Sequence, residues 1–120
     1  MIAIVDYGMG NIHSVKKALE SLGVKTRVAV LPQDIAKAEK IVLPGVGAFD
    51  DAMLELKKKG LVSALRKAIE GGKPFLGICL GMQILFDQSQ EAKKTKGLGI
   101  IKGSVKKFPA RKNLKVPHMG

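Results

Sequence analysis

Phe75-Leu76-Gly77-Ile78-Cys79-Leu80-Gly81 is the stretch that decides the fold. Phe75 to Ile78 is an apolar run set off by Gly71-Gly72 and Pro74, the mark of a buried strand. Leu80 to Phe86 continues as a helix beyond a turn. At that turn stands Cys79, the only cysteine, with a glycine two positions to either side. A strand entering a helix through a nucleophile-type residue flanked by glycines is the nucleophile-elbow layout, with Cys in place of Ser. The glycines are steric requirements, because a β-carbon on either side of so tight a turn would clash with neighbouring backbone. Backbone N–H groups at the start of a helix favour a thiolate. The competing reading is a buried, inert cysteine; strand, glycine spacing and helix together favour catalysis.

Upstream, the same punctuation recurs. Ile2 to Val5 reads as a buried strand stopped by Asp6-Tyr7-Gly8-Met9-Gly10. Asn11 can cap a helix on which Ile12, Val15, Leu19 and Leu22 recur at helical spacing, and Gly23 suits a left-handed end. Val24 to Val30 alternates as a half-buried strand does, and Lys40 to Leu43 is another buried strand, closed by Pro44-Gly45-Val46-Gly47. Asp50 and Asp51 open a helix carrying Met53, Leu54 and Leu56. A second apolar stripe runs from Leu61 to Ile69. After Lys96 the pattern turns β-like, over Leu98 to Ile101 and Ser104 to Phe108. Parallel strands are expected near residues 2–5, 24–30, 40–43 and 74–78. Alternation of strand and helix in units of ~30 residues implies an α/β fold, an open parallel sheet with helices on both faces. Ligands bind such sheets at the carboxyl edge of the strands. There the glycine-rich Pro44–Gly47 segment can turn backbone N–H groups toward a developing oxyanion beside Cys79.

Composition narrows the function classes. The 120 residues are 46% hydrophobic with no Trp, which excludes disorder, and a lone cysteine excludes a disulfide scaffold. No apolar stretch reaches the ~20 residues of a membrane span, and Met1 leads into Ile2 without a basic n-region, so a cytoplasmic, reducing location is expected. Residues 1–120 read as one domain, without repeats or linkers. The net charge of +11 is uneven: residues 91–120 hold nine Lys and Arg against Glu91 alone. A nucleic-acid or phosphate-binding tail is one reading, and a solvated Lys-rich surface whose acidic complement lies on a partner is the other. Phe108 is the only aromatic residue there, which disfavours nucleic acid. His13 falls where a third glycine of a dinucleotide fingerprint would be needed. Neither His13 nor His118 sits in a metal-ligand cluster, so no metal or cofactor is expected. His13, beside Lys16 and Lys17, is expected to face solvent.

Four segments together resemble the class I, triad-type glutamine amidotransferases: Asp6 to Asn11, Pro44 to Phe49, Gly77 to Gln83, and Val116 to Gly120. More narrowly they resemble the HisH family, the glutaminase subunit of imidazole glycerol phosphate synthase in histidine biosynthesis. Related glutaminases of tryptophan and GMP synthesis share the elbow but commonly carry His where this chain has Met82. The resemblance extends over all 120 residues and implies a flavodoxin-like sheet. It implies Cys79 as the nucleophile that forms a glutamyl thioester from L-glutamine and releases ammonia. It also implies an oxyanion hole from the Leu80 N–H and the strand of Gly45, Val46 and Gly47. Gln83 and Glu91 match substrate-holding positions, Glu91 being suited to the α-ammonium by charge. Asn11 matches a residue facing the partner, a (β/α)₈-barrel cyclase of HisF type in a heterodimer, and His118 and Met119 are assigned to the same interface. The ammonia would react in that barrel to give imidazole glycerol phosphate and an aminoimidazole carboxamide ribotide.

The family's catalytic His and Glu come late, in a His-Pro-Glu segment, and no His-x-Glu occurs in these 120 residues. The sequence therefore reads as the N-terminal portion of a glutamine amidotransferase domain whose C-terminal part is missing, inactive alone. The alternatives are a glutaminase feeding another synthase, and a non-catalytic basic binding domain in which Cys79 is structural.

Overall fold

The computed structural model describes residues 1–92 and 95–109. Four of the apolar runs form one parallel sheet: β1 (Ile2–Val5), β2 (Thr26–Ala29), β3 (Lys40–Leu43) and β4 (Phe75–Gly77), in the order β2-β1-β3-β4. This is the doubly wound, flavodoxin-like order. Its topological switch point falls between β1 and β3, the place where such sheets take ligands. The loops leaving those two strands are Asp6–Asn11 and Pro44–Gly47, two of the segments singled out in the sequence.

Register explains which side chains are buried. Ala3 lies beside Ile41 and Ile41 beside Phe75, while Val5 pairs with Ala29 and Leu43 with Gly77. Successive residues face opposite sides of a sheet, so these share one face. Ala3, Val5, Ala29, Ile41 and Leu43 are buried there in the main core. The helices α2 (Pro32–Lys37), α3 (Phe49–Lys58) and α4 (Leu61–Glu70) complete it with Ile35, Phe49, Ala52, Met53, Leu56, Leu61 and Leu65. The opposite face carries Ile4, Val28, Val42 and Leu76. Helix α1 (Ile12–Ser21) packs against β1 and β2, and Ile4 and Val42 are buried. Toward β4 that face lies open: Leu76 is 53% exposed and Ile78 38%. Parallel strands are ordinarily covered on both faces, so β4 is an exception among the described residues.

Several boundaries differ from those the sequence implied. The strand expected over 24–30 is confined to Thr26–Ala29, because the N–H groups of Val30 and Leu31 turn to the Asp34 carboxylate at 3.1 and 2.9 Å. That contact opens α2, a helix the apolar pattern did not announce, with Pro32 at its first position. Asn11 caps α1 as expected, its Oδ1 accepting from the Ser14 N–H at 3.1 Å. Leu22 lies past the last turn and is 76% exposed. In α3, Asp50 and Asp51 occupy the first turn as expected, but Leu54 faces solvent.

The helix expected over Leu80–Phe86 is a single turn, α5 (Leu80–Gln83), and Phe86–Ser89 is a strand, β5. Tertiary pairing overrides the helical pattern here. The Ile84 carbonyl accepts from Leu98 at 2.6 Å, and the Leu85 carbonyl accepts from Ile100 and Ile101 at 2.9 and 3.0 Å. The two β-like runs expected downstream resolve into one strand, β6 (Ile101–Val105), which pairs in parallel with β5 as a separate two-stranded sheet.

The two backbone N–H groups on Asp34, from Leu31 and then Val30, hold its carboxyl below the ordinary 3.8. A depressed carboxyl stabilises the fold above the unfolded-state value and loses that contribution as pH falls through the folded-state value. Urea denaturation of the native chain and Asp34→Ala should therefore differ by a constant amount above about pH 5. The two should converge as pH drops below 3.8. A gap that stays unchanged into acid would contradict the assignment.

Candidate active site

The end of β4 is laced to the end of β3 by backbone alone. The Ile78 N–H donates to the Leu43 carbonyl at 3.0 Å and the Leu80 N–H to the Gly45 carbonyl at 3.3 Å. Cys79 lies between these two bonds, with φ 57° and ψ −118°. It is the only non-glycine residue with positive φ among the described residues. Such a conformation costs about 1–3 kcal/mol and persists only where the surroundings over-determine it. Here the surroundings are the two bonds to β3 and the turn of α5, whose Met82 and Gln83 N–H groups donate to the Cys79 carbonyl at 2.9 and 3.0 Å. The thiol is free and exposed.

The flanking glycines are there for space. A β-carbon on Gly77 would lie 2.8 Å from both the Gly81 carbonyl oxygen and the Met82 Cα. One on Gly81 would run into the Leu43 carbonyl. The missing side chain of Gly77 lets the α5 turn fold back onto β4, and that of Gly81 lets the turn rest against β3. Gly81→Ala should therefore cost ~3 kcal/mol or prevent folding, as overpacking against fixed backbone does. Gly60→Ala, where a β-carbon meets nothing within 4 Å, should cost only the ~1 kcal/mol of its left-handed backbone. Urea denaturation of both variants checks the order; equal losses would contradict the close-approach account.

Other residues expected at the site are placed in several parts of the chain. Gly45, Val46, Gly47, Leu80 and Gln83 lie with Cys79. Gly45 is buried against the α5 turn, Gly47 has φ 117°, Val46 is 62% exposed, and Gln83 ends α5 one turn from Cys79. The Leu80 N–H, expected as an oxyanion donor, is occupied by the Gly45 carbonyl through a long bond. The other N–H groups of that turn serve the Ile78 and Cys79 carbonyls. With α5 only one turn long, a thiolate would gain little from a helix dipole. Glu91 lies in the bend after β5, exposed, its N–H donating to the Ser89 Oγ at 3.2 Å. Asn11 is exposed at the start of α1 with its side-chain oxygen on Ser14, and His13 is exposed on that helix, as expected. His118 and Met119 lie outside the described residues.

Sequence reading overlooked one residue. Tyr7 is fully buried beneath the site, and its hydroxyl donates to the Pro44 carbonyl at 2.8 Å. Its signal was available: it is the single Tyr of the chain, one residue past Asp6 on the loop that leaves β1 at the ligand-binding edge. No group of three or more His, Cys, Asp or Glu placed to hold a metal occurs among the described residues. No helix among them is long and apolar enough to cross a membrane.

A strained cysteine on a strand–helix turn, set at the carboxyl edge of a doubly wound sheet, defines the class. Residues 3–120 match the family model for glutamine amidotransferase class-I, and the chain belongs to that family. Among curated proteins it is 52% identical over 120 residues to the imidazole glycerol phosphate synthase subunit HisH of Cyanothece sp.. It is 54% identical over 119 residues to the subunit of the same name from Moorella thermoacetica. It spans 56% of the length of each, although essentially all of this chain is matched. A crystal structure of a glutamine amidotransferase superimposes with a TM-score of 0.76 at 20% identity, over 88% of this chain and 56% of that one, a likeness of fold.

Proposed function

We propose that this chain is the nucleophile-bearing, N-terminal portion of a glutaminase of the HisH type. The observation that carries the reading is Cys79, held at positive φ on the elbow and joined through Leu80 to Gly45. Its likeness to HisH subunits over its whole length supports the narrower assignment. The exposed Leu76 and Ile78 support a domain in which further chain covers β4, since this chain spans only 56% of the relatives' length.

In the proposed reaction the Cys79 sulfur attacks the side-chain carbonyl of L-glutamine, and the carbonyl π-electrons move onto oxygen. Collapse of the tetrahedral species re-forms the carbonyl and breaks the C–N bond, and the nitrogen leaves as ammonia after taking up the proton that the thiol gave up. Water then cleaves the thioester to glutamate and restores the thiol. The Pro44–Gly47 backbone and the Leu80 N–H would bear the oxyanion. For Leu80 to serve, its 3.3 Å bond to Gly45 must be released. Gln83 and Glu91 would hold the amino-acid end of the substrate. Asn11, His118 and Met119 would face a (β/α)₈-barrel cyclase, which takes up the ammonia to form imidazole glycerol phosphate in the cytoplasm.

In the complex with the cyclase, Cys79→Ala should abolish release of glutamate from glutamine while leaving partner binding intact. Substantial turnover in that variant would sink the assignment. The 120-residue chain by itself carries no His-x-Glu to protonate the leaving nitrogen. Its turnover should fall below that of an active HisH subunit by roughly four orders of magnitude or more, as on removing a triad member. Comparable turnover, lost on His118→Ala, would show that His118 is the base.

A further inference from the structure

The Pro44–Gly47 segment has a second neighbour besides the Cys79 turn. The loop leaving β1 lies along it at three points. The Tyr7 hydroxyl donates to the Pro44 carbonyl, bridging residues 37 apart in sequence. A β-carbon on Gly10 would come within 3.1 Å of the Gly45 nitrogen, and one on Gly47 within 2.8 Å of the Met9 methyl. The Tyr7 oxygen also occupies the space in which a Gly45 side chain would stand, 2.5 Å from that β-carbon position. Pro44–Gly47 is thus clamped between the β1 loop and the elbow. Of the two hydrogen bonds that fix it, the one from Tyr7 is the shorter, 2.8 Å against 3.3 Å from Leu80.

We propose that Tyr7 is a positioning residue, whose buried hydroxyl fixes the Pro44–Gly47 backbone in the place where the oxygen of an acylating carbonyl group must be met. The proposal rests on the glutaminase reading for its consequence, though not for the contact itself. Tyr7 is itself anchored: its ring is in the core, and its carbonyl accepts from the Lys59 ammonium at 3.2 Å, which in turn meets Glu55 at 2.8 Å. Burial, and secondarily the neighbouring Cys79, push the Tyr7 phenol up to about 12, so it remains a hydrogen-bond donor at any working pH. The hydroxyl does not reach the substrate. It acts by denying the segment its alternative backbone conformations, and mobility in an oxyanion-binding backbone lowers the benefit of preorganisation.

The consequence separates two reactions of one thiol. Acylation of Cys79 by L-glutamic acid γ-(4-nitrophenyl) ester builds negative charge on a carbonyl oxygen, and nitrophenolate departs without needing a proton. Alkylation by iodoacetamide displaces iodide at carbon and builds no oxyanion. In Tyr7→Phe, acylation of the full chain should slow by roughly tenfold or more, an indirect share of the 100-fold cost of losing an oxyanion donor. Alkylation should stay within about twofold. Amide hydrogen exchange at Gly45, Val46 and Gly47 should quicken, while core amides such as Ile41 and Leu65 keep their protection, which shows that the variant is folded. Acylation and alkylation falling together, or unchanged exchange at 45–47, would overturn the proposal. If Cys79 of the native chain alkylates but is not acylated, the glutaminase reading fails, and the exchange comparison alone then decides whether Tyr7 holds the segment.

Discussion

Gly81 stands so close to the Leu43 carbonyl that no side chain fits between them. The turn after β4 thereby rests directly on the end of β3. Given that approach, the Ile78 and Leu80 N–H groups find the Leu43 and Gly45 carbonyls, and the chain between them is left only a left-handed solution at Cys79. The strain at Cys79 is a consequence of backbone packing, and it is what lifts the thiol out of the sheet toward solvent. The sheet order adds the setting, since the switch point between β1 and β3 brings the Tyr7 loop and Pro44–Gly47 to the same edge.

How much of this was legible in the sequence depended on how local each feature was. The strands at 2–5 and 40–43 and the elbow glycines were legible because short-range patterning specifies them. Asn11 was readable as a cap for the same reason. Helix α2 was missed because its specification lies in Pro32 and the Asp34 carboxylate and not in an apolar stripe. The overlong helix at 80–86 was misread because pairing of Ile84 and Leu85 with residues 98–101 depends on contacts that no local window contains. Tyr7 stood out as the single Tyr, on the loop that leaves β1, but its partner did not: a hydroxyl aimed at a carbonyl 37 residues away leaves no mark in spacing.

In the proposed reaction the described residues would divide the work of acyl transfer unevenly. They place the proposed nucleophile and the proposed oxyanion segment at one edge. The group that would manage the leaving nitrogen's proton is not among them: His13 faces solvent on α1. The uncovered Leu76 and Ile78 on the β4 side fall on the same part of the sheet. The open side of β4 and the lack of such a group among the described residues both accord with the proposed function, since the relatives are nearly twice as long.

The account depends on Cys79 being the residue that takes up an acyl group. The most direct measurement is mass-spectrometric mapping of the chain after brief reaction with the γ-nitrophenyl ester of L-glutamate and an acid quench, which preserves thioesters. The account predicts one γ-glutamyl group per chain, on the peptide containing Cys79, discharged by hydroxylamine at neutral pH. Stable acyl groups scattered over surface lysines, with Cys79 unmodified, would contradict it.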